Sequence, residues 1–262
     1  MAMHETANFG PALDSAPDSE LVVTRAGPVV RLQLNRPRRA NALSASLVDR
    51  LIEAVEQASR EDARLLVFEG IGASFCSGCD LGDIDDQTDG DLAVRFLRIE
   101  ILLQNIYHAP MRTVAFAQGR VFGAGADLFC ACSVRIAAPN AQFKFPGPRF
   151  GLVLGTGRLR RCVGERAAQD LLLGGLEFSA TKARDVGLAT DVLDESHWAA
   201  LVDELSNSDP AVAQSTVGAI LKVLKPDHRA MDLASLALSV ARPGLKDSIL
   251  KYRGLRKGKY HR

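Results

Sequence analysis

The segment Ala117-Gln118-Gly119-Arg120-Val121-Phe122-Gly123-Ala124-Gly125-Ala126-Asp127-Leu128 carries three glycines and one carboxylate at a spacing that can do chemistry. Glycine lets backbone turn sharply and approach a ligand closely. The N–H groups that open a helix have no partner within it, so they can hold an anion or a developing negative charge. Asp127 would lie about one turn inside such a helix, within reach of whatever those groups hold. The spacing alone also fits a tightly packed turn with a solvated aspartate. A second turn, Phe75-Cys76-Ser77-Gly78-Cys79-Asp80-Leu81, sets another glycine after another apolar run. Two turns that each present backbone N–H groups beside a glycine make an oxyanion hole suited to a thioester carbonyl.

Each turn needs a strand to deliver it. Arg64–Gly70 reads as a buried strand before the first turn, and Thr113–Ala117 as one before the second. Upstream, Leu21–Arg25 and Val29–Leu34 are predicted strands around Gly27-Pro28. Ser44 is a candidate N-cap for a helix whose apolar face is Leu47, Leu51, Ile52 and Val55. Strand, helix, strand in that order predicts a crossover and a parallel sheet. Asp83–Asp91 is acidic and glycine-bearing, which predicts a mobile surface loop before a helix over Leu92–Tyr107. Beyond the second turn come short strands at Val134–Ala138 and Gln142–Phe145, then an apolar, glycine-rich loop over Gly151–Gly157. Helical segments follow at Leu159–Val163, Glu165–Leu173 and Ala180–Asp185, and a short strand at Val192-Leu193. From His197 the chain reads as helix, at Trp198–Leu205, Ala211–Leu224 and Ala230–Val240, forming a layer apart from the sheet. The expected organisation is a disordered leader over 1–20, an α/β core over 21–195 and a helical region over 196–262.

The composition is that of an ordinary globular protein, with 47% hydrophobic and 24% charged residues in 262. A net charge of +1 gives no electrostatic case for nucleic acid or a membrane surface. No apolar run reaches the roughly 18 residues of a membrane span. Residues 1–20 hold no Lys or Arg and no apolar stretch, which argues against a targeting peptide and for a cytoplasmic protein. The basic stretch Lys246–Arg262 reads as a solvated terminus, with a grip on a phosphorylated ligand as the sharper option. Cys76, Cys79, Cys130 and Cys132 can be drawn as a four-thiolate zinc site, but the last two sit in an apolar run; the expectation is small buried residues and no metal.

With these motifs in order, the chain resembles the crotonase family (the enoyl-CoA hydratase/isomerase superfamily) from about Leu21 to Leu245. Arg38-Arg39-Ala40-Asn41-Ala42-Leu43 looks like its coenzyme A-contacting loop, and Phe75–Leu81 and Gln118–Leu128 like its two oxyanion motifs. Gly164–Gly174 and Ser179–Leu188 resemble the segment that follows. The resemblance implies a spiral of strand–strand–helix turns closed by a C-terminal helical region, and homotrimers or dimers of trimers. It implies an acyl-CoA thioester as substrate, nominally a trans-2-enoyl-CoA to be hydrated, with coenzyme A as part of the substrate and no other cofactor. The backbone N–H groups of Cys79 and Ala124 would polarise the thioester, and Asp127 would be the acid–base group. Arg39, Ala40, Ser77, Gly78, Gly123 and Gly147 would lie against the substrate. Asp80 is expected to be structural.

Two departures bear on the reaction. Asp127 stands where hydratases of the family have glutamate, and Gly147 stands where they have the second glutamate. A positioned acid–base group contributes about 10²–10⁴-fold, so a standard hydratase lacking one should be slow. Lys144, Arg149 and Arg158 flank the emptied position as replacement acids, and Gly155 falls where some isomerases and dehalogenases carry aspartate. Isomerisation, decarboxylation, C–C cleavage and acyl-CoA binding without chemistry are the alternatives. A serine peptidase of the related Clp type would need a Ser–His pair near the second turn, where the sequence has Ala126-Asp127.

Overall fold

The computed structural model describes residues 19–61, 63–207 and 212–257. The leader expected over 1–20 falls outside these residues except for Ser19 and Glu20, which are held: Asn35 donates to both of their carbonyls, from Nδ2 and from N.

Six strands form the main sheet in the order β1 (Leu21–Ala26), β2 (Val29–Leu34), β3 (Leu65–Gly70), β4 (Arg112–Ala117), β6 (Val134–Ala137), β9 (Asp191–Val192). Only β1–β2 is antiparallel, the hairpin turning at Gly27 with φ +54°; from β2 onward the ladder is parallel. β5 (Arg120–Phe122), β7 (Gln142–Lys144) and β8 (Phe178–Ser179) form a second, smaller sheet.

The chain winds between the two sheets in repeated turns. β3 leads to Cys76, which bridges to Val121 of the small sheet, and then to α2 (Asp89–Tyr107). β4 leads to β5 and then to α3 (Ala124–Ala131), and β6 leads to β7 and then to α4 (Thr156–Val163), followed by α5 (Glu165–Gly174) and α6 (Ala180–Asp185). This is the spiral of strand–strand–helix turns, and it stacks the openings of successive turns side by side.

Strands β3 and β4 are apolar on both faces because both faces are covered. Leu66, Phe68, Ala115 and Ala117 join the main core with α1 (Ala45–Arg60) and α2, while Leu65, Val67, Val114 and Phe116 form a second core on the far side. Trp198 of α7 (Trp198–Ser206) closes that far core, stacked on Phe116 at 5.0 Å between ring centroids. The C-terminal helices therefore do not all form a separate layer: α7 packs directly on the sheet.

Two further expectations are corrected. Asp83–Asp91 is not a mobile loop: it holds a 3-10 turn at Ile84–Asp86, with Ile84 buried, and the start of α2. Thr88 accepts from the Asp91 N–H while the Asp91 carboxylate accepts from the Thr88 N–H, a reciprocal cap that fixes the helix start. The basic stretch after Leu245 is not a free terminus within the described residues. It forms α10 (Leu245–Lys257), which buries Leu245 and Ile249, and Arg253 donates to the Leu81 carbonyl at 2.9 Å.

Candidate active site

The two glycine turns are stitched into one structure. Phe75 N–H donates to Gln118 O at 2.8 Å, Cys76 N–H to Arg120 O at 3.1 Å, and Phe122 N–H to Cys76 O at 3.0 Å. Gly119 and Gly125 make this approach possible, since a Cβ would stand 1.9 Å from Ala73 O at the first and 2.3 Å from Cys76 O at the second. Gly78 has φ +99°, and a Cβ on it would lie 2.8 Å from Phe122 O and 3.4 Å from the Ala124 nitrogen. The first turn thus abuts the opening of α3.

Pairing decides which N–H groups stay free. Leu43 N–H donates to Gly78 O at 2.8 Å and Asp80 N–H donates to Leu43 O at 2.9 Å. Successive peptide groups of an extended chain face opposite ways, so the Cys79 N–H between them turns away from Leu43. On the other turn, Gly123 N–H donates to Lys144 O at 2.8 Å and Gly123 caps α3 with φ +53° and ψ −126°. Ala124 is then the first helical residue, whose N–H has no acceptor inside the helix. Among the described residues neither the Cys79 nor the Ala124 N–H has an acceptor.

Both residues line a cavity of about 390 Å³. Its wall also holds Arg39, Ser77, Gly78, Gly123, Asp127 and Gly147 of the predicted site, and a lining of Phe96, Phe145, Phe150, Leu152 and Leu154. Ala40 is not in the wall; it works from behind, its carbonyl accepting from Ser77 N–H at 3.0 Å. Ala40 and Asn41 adopt left-handed φ of 48° and 53°, a costly pair for residues with side chains. Asn41 offsets the strain: buried, it accepts from Arg36 N–H and donates to the carbonyls of Ile71 and Ser74. Asp80 is structural, accepting from Gly82 N–H at 2.9 Å and pairing with Arg36 at 2.8 Å.

Asp127 is 5% exposed and has no hydrogen-bond donor to its carboxyl among the described residues. Burial pushes the carboxyl well above its ordinary value of 3.8; the Arg158 guanidinium opposes the rise and Glu100 adds to it. Oδ1 lies against Gly155, where a Cβ would come within 2.1 Å of it, and Gly155 itself has φ +65°. Residue 155 therefore has no room for a side chain while Asp127 holds this position. Because the folded carboxyl binds its proton more tightly than the unfolded one, its contribution is fully present below pH 3.8 and is lost as pH rises through the raised folded value. Asp127→Asn escapes that loss, so the melting temperature of the variant minus that of the wild type is expected to widen from pH 5 to pH 9 in calorimetry. A constant difference would contradict the burial argument.

None of the three cations that flank Gly147 in the sequence stands in the cavity wall. Arg149 donates to Gly174 O at 2.9 Å, and Arg158 is bound to Glu100 in the interior. The cysteines are free thiols, and burial lifts those of Cys76 and Cys79 to about 12. Several wall residues escaped the sequence reading: Phe96 of α2, Arg120 of β5 and Tyr252 of α10; Arg253, also in the wall, belongs to the basic stretch for which a grip on a phosphorylated ligand was the sharper option. Leu245, Ile249 and Tyr252 follow helical spacing, a signal hidden under the basic composition.

The sequence profile described as Enoyl-CoA hydratase/isomerase matches residues 24–238. A Mycobacterium leprae protein assigned as an enoyl-CoA hydratase (echA6) is 34% identical over 194 residues, 70% of this chain and 76% of that protein. A human protein named enoyl-CoA hydratase domain-containing protein 2, mitochondrial, is 32% identical over 198 residues, 71% of this chain and 68% of that protein. Among solved structures, one from Bordetella parapertussis assigned to enoyl-CoA hydratase/isomerase superposes with a TM-score of 0.87 at 43% identity, covering 89% of this chain and 98% of that one.

Proposed function

This chain belongs to the enoyl-CoA hydratase/isomerase family, and from that premise we propose that it turns over an acyl-CoA thioester through an enolate held by the Cys79 and Ala124 N–H groups. One observation carries the reading: two residues from adjoining turns whose N–H groups are unpaired among the described residues line the same cavity as a buried carboxyl that has no partner there. The thioester oxygen gains charge as the enolate forms, and fixed donors in a dry site stabilise it without reorganising. Asp127 gives or takes the proton. Arg39, Arg120 and Arg253 lie in the cavity wall, three guanidinium groups suited to the phosphates of coenzyme A. Hydration of a trans-2-enoyl-CoA is the nominal reaction, with isomerisation and decarboxylation as variants of the same enolate chemistry.

Exposed Ile220, Val223, Leu224, Met231 and Leu238 on α8 (Gln214–Leu224) and α9 (Arg229–Val240) support the proposed homotrimer or dimer of trimers. Free thiols support a reducing, cytoplasmic setting. No helix among the described residues is long and apolar enough to cross a membrane.

The test is turnover of crotonyl-CoA and of branched and aromatic enoyl-CoAs by the wild type beside Asp127→Asn. Activity that depends on Asp127 supports the reading. No turnover, with micromolar binding of the esters by calorimetry, supports the second reading of a binder without chemistry, which Gly147 favours by offering no carboxylate. Gly147→Glu separates the two further. The three atoms nearest a Cβ at 147 all belong to Leu152, at 3.5 Å and beyond, ordinary contact distances, so a Cβ fits there. The variant is expected to hydrate crotonyl-CoA at least about tenfold faster than the wild type, since it adds the missing acid–base group. An unchanged or lower rate would show that position 147 does not face the reacting carbons.

A further inference from the structure

Three residues of the chain pass the cavity between two left-handed glycines. Leu152, Val153 and Leu154 run from Gly151, with φ +81°, to Gly155, with φ +65°. Burial alternates along them, as side chains of extended backbone do: Leu152 is 4% exposed, Val153 40% and Leu154 8%. Leu152 and Leu154 stand in the cavity wall and Val153 does not. Two contacts place this segment at the reacting end of the cavity. Gly155 packs on the Asp127 carboxyl, and Leu152 lies along residue 147, where an added Cβ would find the leucine Cβ at 3.7 Å and its Cδ2 at 3.8 Å. The position that Gly147 leaves without a carboxylate is therefore flanked by an apolar wall.

The ends of the segment are held locally. Leu152 N–H donates to Gly147 O at 3.0 Å, and Gly155 O accepts from Leu159 N–H at 2.9 Å as α4 begins. Its middle is held from 86 residues away: Val153 N–H donates to Ser239 Oγ of α9 at 3.1 Å. The Ser239 hydroxyl donates in turn to Leu236 O at 2.7 Å, so both its donor and its acceptor roles are filled. Ser239 is 6% exposed, and Leu236 and Val240 are buried with it, so α9 offers this hydroxyl from its core side. Alanine would suit the helix better than serine. What the hydroxyl adds is the hold on Val153.

We propose that Ser239 is a positioning residue for the acyl group: by holding Val153 it fixes Leu152 and Leu154, and so sets the largest acyl chain the cavity admits. The inference rests on the reading of this cavity as the acyl-CoA site. With the hydrogen bond in place, a chain that overruns the wall meets a fixed surface. Without it, the Val153 N–H turns to water beside an already exposed side chain, and the glycine at each end lets the segment swing back.

The experiment is calorimetric binding of coenzyme A and of a ladder of saturated acyl-CoAs from acetyl to decanoyl, to the wild type, Ser239→Ala and Ser235→Ala. Each methylene that leaves water for an apolar wall tightens Kd by about fourfold. In the wild type the tightening stops where the chain end meets Leu152 and Leu154. Ser239→Ala is expected to move that stop by about two methylenes, so the first ester past the wild-type stop binds at least about tenfold tighter. Coenzyme A itself stays within about twofold, since no part of it reaches the wall. Ser235→Ala removes an exposed hydroxyl of the same helix, bonded to Met231 O, and leaves the ladder as it is. In a Leu154→Ala background the wall is already cut back, so adding Ser239→Ala shifts the ladder by less than about twofold. An unmoved stop in Ser239→Ala, whatever its melting temperature, or a shift as large in the Leu154→Ala background, overturns the proposal and leaves Ser239 a brace of the fold. A wild type that binds no acyl-CoA sinks the substrate reading and this inference with it. A wild-type ladder that Ser239→Ala leaves unmoved sinks this inference alone.

Discussion

Asp127→Asn is expected to lower kcat/KM for a turned-over enoyl-CoA by about 10²–10⁴-fold, while the Kd of a saturated acyl-CoA stays within about threefold. The expectation follows from what else lines the cavity. Its carboxyls are Asp80 and Asp127, and Asp80 is held by Arg36 and the Gly82 N–H. Arg39, Arg120 and Arg253 are permanently charged and cannot exchange protons near neutrality. The Cys79 thiol is pushed up to about 12 by burial. Asp127 is left as the carboxyl with no competing partner among the described residues. Asparagine keeps its shape, and so keeps the contact with Gly155 and the opening of α3, but transfers no proton. Steady-state kinetics beside calorimetric binding separates the outcomes. A variant that retains wild-type kcat/KM would mean that proton transfer runs through another group or through water alone.

How far this site could be read from sequence depends on whether its causes are local. The two glycine turns are legible because glycine is demanded there by backbone geometry. Gly78 with φ +99° and Gly119, whose Cβ would collide with Ala73 O, leave a mark in the sequence itself. β3 and β4 were legible because a strand covered on both faces must be apolar throughout. The start of α2 was misread although Thr88 and Asp91 stand at capping-box spacing; the acidic run around them suggested solvent instead. Glu100 was missed for a different reason. It falls four residues after Phe96, on the buried stripe of α2, and a carboxylate on an apolar stripe needs a buried partner. Only the fold shows that the partner comes from α4, 58 residues on. Arg158 had been a candidate acid because it lies near Gly147 in the chain, yet nearness in sequence did not place it in the cavity. α10 was hidden because its basic composition outweighed the helical spacing of Leu245, Ile249 and Tyr252.

Ala124→Pro tests the proposed oxyanion hole by replacing one donor N–H with the proline ring. Backbone donors escape side-chain substitution, but Ala124 is the first residue of α3, where proline is tolerated because its ring presets the helical φ. Its N–H has no acceptor among the described residues, so no hydrogen bond seen there is lost. The residue before proline must avoid the α region, and Gly123, with ψ −126°, already does. The substitution therefore leaves the start of α3 intact while deleting one of the two N–H groups proposed to hold the enolate oxygen. Loss of one such donor costs about 10²–10³ in kcat. That range is expected here, with the melting temperature within about 4 °C of wild type because the change in stability is small. The effect should fall on kcat rather than on Kd for a saturated ester, because charge on the oxygen grows only toward the enolate. If Ala124→Pro keeps full activity in a folded protein, the enolate oxygen does not lie between Cys79 and Ala124. If kcat falls but an uncharged ester loses affinity by the same factor, the pair holds the ground-state carbonyl as tightly as the enolate and contributes nothing to the chemical step.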